Sequence, residues 1–97
     1  MAKSYRKIEG VLKTGGILKY MADQKEAVGG NEIAKALDMP QGTVMSHLAS
    51  LEELNFVTRV GERFDLGMGL ALFWARKKSR LEGERSRIDR DIEELEC

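Results

Sequence analysis

The chain has 97 residues, of which 42% are hydrophobic and 33% are charged, and its formal net charge is zero. This length supports one small domain, and no stretch approaches the roughly 20 apolar residues that a membrane-spanning helix needs. The one cysteine, Cys97, excludes an intrachain disulfide or a multi-cysteine metal site, and the basic N-terminus lacks the following apolar run of a signal peptide. We therefore expect a cytoplasmic protein with a free thiol, no metal and no cofactor.

The charges cancel in sum but are unevenly distributed along the chain. Residues 1–25 carry six Lys or Arg against two acidic residues, and residues 56–80 again carry six against two. Residues 26–55 carry one basic against five acidic residues, and residues 81–97 carry three against seven. A zero total can therefore hide a basic surface, which is the electrostatic footprint of nucleic-acid binding.

The first nine residues are predicted to form a basic N-terminal arm. Lys3, Arg6 and Lys7 surround Tyr5 and precede Ile8. Such an arm can follow DNA phosphates or enter a minor groove. The alternative is that these three basic side chains are only solvated.

A first helix is predicted over residues 11–22. Its apolar residues recur at helical spacing and are Val11, Leu12, Ile17, Leu18 and Met21. Gly15 and Gly16 interrupt this pattern, and each costs a helix about 1 kcal/mol relative to alanine. Either another backbone approaches closely at this turn, or the helix breaks there. Residues 23–30 are predicted to be a polar loop.

Residues 31–37 and 40–55 are predicted to form the second and third helices. Pro40 is expected at the first helical position, where its missing N–H is not needed, and Asn55 at the left-handed end. The inward face of the third helix has four apolar residues: Val44, Leu48, Leu51 and Leu54. Two helices joined by about three residues form the helix-turn-helix pattern.

The other face of the third helix is predicted to enter the major groove of DNA. Its residues are small or short and uncharged, and the candidates for DNA contact are Gln41, Gly42, Thr43, Met45, Ser46 and Ser50. Gln41 can hydrogen-bond adenine, Thr43 or Ser46 can reach a phosphate or base edge, and Met45 suits a thymine methyl. The alternative partner for this face is a protein. The single histidine, His47, is expected to be half-buried and neutral.

Residues 56–66 are predicted to form a hairpin, the wing of the domain. Two strands, 56–60 and 63–66, flank a two-residue turn with Gly61 first, which fits type II′. Arg59 and Arg63 lie near the tip and are expected to contact the DNA backbone through the wing, residues 58–65.

Residues 68–97 are predicted to form one long helix. Trp74, Leu81, Ile88 and Leu95 are spaced by heptads, with Ile92 beside them, and nothing in a monomer would cover them. We therefore expect pairing with a second copy, through Phe73, Trp74, Leu81, Ile88, Ile92 and Leu95. Leu70 and Phe73, at the near end, can also pack against the head. The helix is basic first and acidic last, which complements an antiparallel copy, and the alternative is a solvated, frayed tail.

Residues 8–70 resemble the DNA-binding domain of IclR-type transcriptional regulators. The resemblance rests on four ordered blocks: residues 10–22, the run 32–37 followed by Met39-Pro40, Thr43 with the run 48–54, and Phe64-Asp65-Leu66-Gly67. It implies a mainly α winged helix-turn-helix fold over residues 10–67, three helices plus a wing, and a double-stranded DNA partner. Gln41 and Ser46 stand where this family usually carries basic residues.

The resemblance covers no effector-binding domain, so we expect a stand-alone module without a small-molecule effector. The leading hypothesis is a homodimeric, sequence-specific DNA-binding regulator. The second is a winged-helix adaptor that binds protein and little or no DNA, and the third is a fragment of a larger regulator. An enzyme finds no support, because the sequence has no nucleophile–base pair, phosphate-binding loop or ligand cluster.

Overall fold

A computed structural model describes residues 4–97, so the predicted contact residue Lys3 lies outside the described part of the chain. The elements are α1 (Glu9–Ala22), α2 (Gly30–Leu37), α3 (Gln41–Glu53), β1 (Val57–Val60), β2 (Arg63–Leu66) and α4 (Met68–Glu96). This order confirms the predicted fold class: a mainly helical winged helix-turn-helix head followed by one long helix. No helix within residues 4–97 is long and apolar enough to cross a membrane.

The core lies between the three helices of the head and the inner face of the hairpin. Its buried residues are all apolar: Ile17, Met21, Val28, Ile33, Ala34, Val44, Leu48, Leu51, Val57 and Phe64. Phe64 is the largest and is 1% exposed. Val11 and Leu12, which belonged to the predicted stripe of the first helix, are instead exposed with Ile8 at the start of α1.

Both ends of α3 differ in detail from the prediction. Pro40 has φ −60° and ψ 140°, so it is the extended residue before the helix and not its first helical residue. The helix ends at Glu53, and Leu54 is 57% exposed and not part of the core. Asn55 has the predicted left-handed conformation, with φ 64°. Leu54 is therefore the C-cap residue after the end of the helix, and its side chain lies outside the core.

The hairpin has the predicted two-residue turn and alternation of faces. Val57 and Phe64 are buried, whereas Thr58 and Asp65, which pair across the strands, are exposed. Gly61 has φ 64°, and Glu62 does not have a positive φ, as a type II′ turn requires.

The segment predicted as a loop before α2 adds one isolated β-bridge to β2, between Val28 and Phe64. The N–H of Val28 donates to the carbonyl of Phe64 at 2.8 Å, and the N–H of Phe64 donates to the carbonyl of Val28 at 2.7 Å. Val28 was not predicted as a strand residue because Gly29 and Gly30 follow it directly. This bridge places the start of α2 against the wing.

The two glycines in α1 neither break the helix nor receive a neighbouring backbone. The helix is continuous from Glu9 to Ala22, and a Cβ at Gly15 or Gly16 would meet nothing within 4 Å. Both sequence-based explanations for this pair are therefore wrong within the single chain.

The long helix α4 is anchored at its start and otherwise projects from the head. The N–H of Gly67 donates to the carbonyl of Phe56 at 2.8 Å, and that of Gly69 to the carbonyl of Asn55 at 2.9 Å. A Cβ on Gly69 would lie 2.6 Å from the Asn55 carbonyl oxygen, so only glycine allows this approach. Phe73 packs edge-on against Phe56, with ring centroids 5.4 Å apart, as predicted for the near end of the helix.

Beyond this anchor, α4 has no buried residue along its 29 positions. At 1.5 Å per residue it is about 43 Å long. The radius of gyration is 19.3 Å, whereas a compact chain of this length would have about 12.5 Å. The molecule is thus a small head with an extended helical arm.

Candidate nucleic-acid interface

The outward face of α3 is exposed and narrow, as the prediction required. Gln41, Gly42, Ser46 and Ser50 are exposed, and Thr43 is partly buried. The Ser50 hydroxyl donates within the helix to the Ser46 carbonyl at 3.3 Å, so it carries no contact to another element. The face has no basic side chain, and the helix ends on the exposed acid Glu53.

The N-terminus of α3 leaves donors directed outward. Pro40 precedes the helix and makes no side-chain cap, and the first backbone N–H that finds an acceptor is that of Val44, on the Pro40 carbonyl at 3.1 Å. Within residues 4–97, the N–H groups of Gln41, Gly42 and Thr43 have no protein acceptor. Free N–H groups at a helix start favour an anion such as a DNA phosphate.

Met45 does not share this outward face. It is partly buried against the core, and a Cβ at Gly30 would lie 2.5 Å from its Sδ. The Met45 side chain therefore fills the space that Gly30 leaves at the start of α2. Its contact with a thymine methyl stays a prediction, for a side chain that the structure places partly against α2.

His47 is half-buried, as predicted, and it joins α3 to α1. Its Nδ1 lies 2.6 Å from the Thr14 hydroxyl oxygen, and that hydroxyl donates to the Gly10 carbonyl at 2.8 Å. With the single hydroxyl proton directed to the Gly10 carbonyl, the bond between Thr14 and His47 fits the tautomer that carries its proton on Nδ1. Sequence reasoning missed this partner, which lies 33 residues away and leaves no periodic signal.

The wing arginine Arg59 is held by the head. Its guanidinium donates to both carboxylate oxygens of Glu52, at 3.3 and 3.4 Å, and its Cζ lies 4.8 Å from the centroid of the Phe64 ring. Arg59 faces Phe64 directly across the hairpin, so strand alternation aims it back towards α3. Its side chain remains 49% exposed.

Arg63 is held in the same way from the other strand. Its Nε donates to the Ala27 carbonyl at 2.9 Å, and its Nη2 lies 3.0 Å from a carboxylate oxygen of Glu32. Its side chain is 46% exposed. Both predicted wing contacts are therefore within reach of solvent, but each is already paired with a carboxylate of α2 or α3.

Arg6 and Lys7, two basic residues of the predicted arm, are exposed in the segment without regular secondary structure before α1. The predicted dimerisation residues of α4 are also exposed, from 48% for Ile92 to 87% for Leu95. Phe73 is the exception in placement: it lies about 80° around the helix from Leu81, on the side that meets Phe56.

A groove of about 700 Å³ opens where the wing meets α4. Its walls are mainly apolar and include Leu54, Phe56, Leu72, Phe73 and Arg76. Sequence reasoning missed it because Leu54 was assigned to the core. Neither Trp74 nor Leu81 lines this groove, so the groove and the heptad stripe that contains Leu81 lie on different faces of α4.

Residues 10–61 match the family described as the IclR helix-turn-helix domain. Among solved structures, an IclR transcriptional regulator from Alicyclobacillus acidocaldarius is 27% identical, with a TM-score of 0.71 over 74% of this chain and 30% of that one. An IclR family transcriptional regulator from Brucella abortus, 17% identical, shows the same fold with a TM-score of 0.66 over 84% and 33%.

A third similar structure is MepR, a transcription regulator of the Staphylococcus aureus multidrug efflux pump MepA. It is 29% identical, with a TM-score of 0.57 over 80% of this chain and 62% of that chain. The comparison with curated proteins gave no match. The chain thus spans about a third of the length of the two IclR regulators.

Proposed function

The chain belongs to the family of IclR helix-turn-helix domains, and we propose that it binds double-stranded DNA sequence-specifically as a small homodimeric transcriptional regulator. The observation that carries this proposal is the exposed face of α3. Three buried side chains, Val44, Leu48 and Leu51, fix the helix on the core and leave a slim polar surface outside. The major groove is about 12 Å wide and admits one helix of this kind.

In this proposal the α3 face discriminates bases and its surroundings supply the affinity. Gln41 is the residue suited to a bidentate contact with adenine, and Gly42 lets the start of the helix approach closely. Thr43, Ser46 and Ser50 reach phosphates or base edges, and the free N–H groups at the helix start receive a phosphate. Arg6, Lys7, Arg59 and Arg63, with Lys3 of the arm, hold the flanking backbone.

The test is DNA binding by the whole chain as a function of salt. A regulator of this kind binds random duplex DNA with a dissociation constant of about 1–100 μM near physiological salt and more tightly below it. We expect Gln41→Ala to change which selected sequence is preferred while leaving binding to random duplex within about twofold. Absence of binding to any duplex at about 50 mM salt would overturn the proposal.

The second candidate function is a protein-binding adaptor with the same fold. It is favoured by the absence of a basic side chain on the α3 face and by the carboxylates that hold Arg59 and Arg63. The same titration decides between the two, because an adaptor would show no salt-dependent retention of duplex DNA.

A further inference from the structure

The unpartnered face of α4 has one stripe of large apolar side chains along most of its length. Trp74, Leu81, Ile88 and Leu95 repeat by sevens, and each is about half or more exposed. Helices in water are marginal without a partner for such a face. The structure also shows that this stripe is separate from the groove that meets the wing, since Phe73 and Leu72 lie on other sides of the helix.

We infer that the occupant of this face is α4 of a second copy, and that the two helices run antiparallel with their two-fold axis between Glu84 and Arg85. This inference rests on the proposed homodimer and specifies its geometry. It places Trp74 level with the partner's Leu95, and Leu81 level with the partner's Ile88. All four stripe residues then lie level with apolar residues of the partner. A shift by one heptad in either direction would leave some of them without such a neighbour.

The charges select this arrangement over a parallel one. A two-fold parallel pair is necessarily in register, so every charged residue would lie level with its own copy. In the antiparallel pair the basic run Arg76, Lys77, Lys78 and Arg80 of each helix lies at the height of the partner's Asp89, Asp91, Glu93 and Glu94. The attraction between these two oppositely charged segments favours the antiparallel orientation.

Because α4 is continuous, the height of each of its residues along the helix axis is fixed. The helix runs unbroken from Met68 to Glu96, so each level is fixed by a rise of 1.5 Å per residue. The basic start lies at the anchored end beside the head, and the acidic end is free. Antiparallel pairing therefore brings the free end of each copy back beside the basic start of the other.

The native cysteine gives a test that needs no substitution. Cys97 is a free, exposed thiol, and a spin label on it reports the distance between the two copies. Antiparallel pairing places Cys97 level with the partner's Leu72, so the labels lie about 25 residues, or roughly 37 Å, apart along the axis. Parallel pairing places them across a helix spacing of about 10 Å. A short label distance would overturn the inference.

Cross-linking provides an independent readout in a Cys97→Ser background. Leu81→Cys and Ile88→Cys proteins, mixed and oxidised, should form a disulfide between the two species, whereas neither alone should cross-link. Identical positions are separated by about 10 Å along the axis, beyond the reach of a disulfide. Cross-linking of each protein with itself, and not with the other, would contradict antiparallel pairing.

Charge reversal tests whether the charges determine the relative orientation of the two α4 helices. Lys78→Glu should weaken dimerisation by about two- to fivefold, since Lys78 lies at the height of the acidic end of the partner helix, and adding Asp91→Lys should restore it. In a parallel dimer the single substitution would replace one like-charged level by another and change little. Light scattering on the wild type separates the failures. A dimeric mass with a short Cys97 label distance overturns only the geometry, whereas a monomeric mass overturns the homodimer as well, and DNA binding is measured apart from both.

Discussion

Single side chains at the proposed DNA interface have partners within the head. Arg59 is held by Glu52 and Arg63 by Glu32, so in the proposed complex a DNA phosphate would have to compete with a carboxylate for each guanidinium. Exposed ion pairs of this kind are worth about 0–1 kcal/mol, which is small enough for a phosphate to displace. The two arginines of the wing are thus only weakly restrained by their ion pairs.

Glu52→Gln is expected to tighten binding to random duplex by up to about fivefold, because it releases Arg59 from its ion pair. Arg59→Ala should weaken binding at all sequences and lower the log–log salt slope by about 0.9. Titration by fluorescence anisotropy measures both. The control is the double variant: Glu52→Gln should give no gain on the Arg59→Ala background. An equal gain there would show that the gain comes from removing the Glu52 charge and not from releasing Arg59.

Thr14→Val is expected to destabilise the head by about 1–3 kcal/mol, since it leaves the half-buried His47 without its acceptor. Thr14→Ser keeps the hydroxyl and should retain most of the stability. Urea denaturation measures the difference. Equal midpoints for the two variants would mean that the bond between α1 and α3 contributes nothing to stability.

At the scale of elements, the order and type of every helix and strand can be predicted from periodicity, whereas the residues at which they begin and end are predicted less well. Val44, Leu48 and Leu51 fix the face of α3 by spacing alone, whereas Leu54 fits the same spacing but lies beyond the end of the helix. The close approach of the Asn55 carbonyl to Gly69 could not be predicted, because a sequence shows absent side chains and not the backbone that approaches them. His47 with Thr14, and Val28 with Phe64, are long-range pairs that no local pattern records.

Gly69→Ala is expected to cost about 1–3 kcal/mol, because its Cβ would clash with the Asn55 carbonyl oxygen and displace the start of α4. Gly83→Ala is the matched control within the same helix: its Cβ would meet nothing within 4 Å. Removing that mid-helix glycine should instead favour α4 by up to about 1 kcal/mol. Circular dichroism during thermal unfolding measures both. A stabilised Gly69→Ala protein would refute the close-approach argument.

At the scale of the whole molecule, the head and α4 are separable in their interactions. Among residues 4–97, the buried core draws only on residues 17–64, and α4 contacts the head through its first turns. The proposed dimer therefore depends on the outer part of α4, and the fold of the head does not. Two recognition helices related by a two-fold axis would read half-sites about 34–36 Å apart or a multiple of this distance.

A chain ending at Ser79 is expected to fold as a monomer, and the full chain to run as a dimer in multi-angle light scattering. Shortening should also reduce affinity for a two-half-site duplex far more than affinity for random duplex, because only the former uses both copies. Far-ultraviolet circular dichroism of the shortened protein checks that the head remains folded. Identical molar masses for the two proteins would remove the role assigned to α4.

The helix without a buried residue has a consequence for the amount of protein needed. If α4 is only marginally ordered alone, its ordering and its pairing are one event, and the species competent for a two-half-site operator grows with the square of the free monomer concentration. Occupancy of the operator would then rise steeply over a narrow range of expression, with no ligand required. In this proposal, pairing through α4 makes occupancy of the operator depend on the concentration of the protein itself.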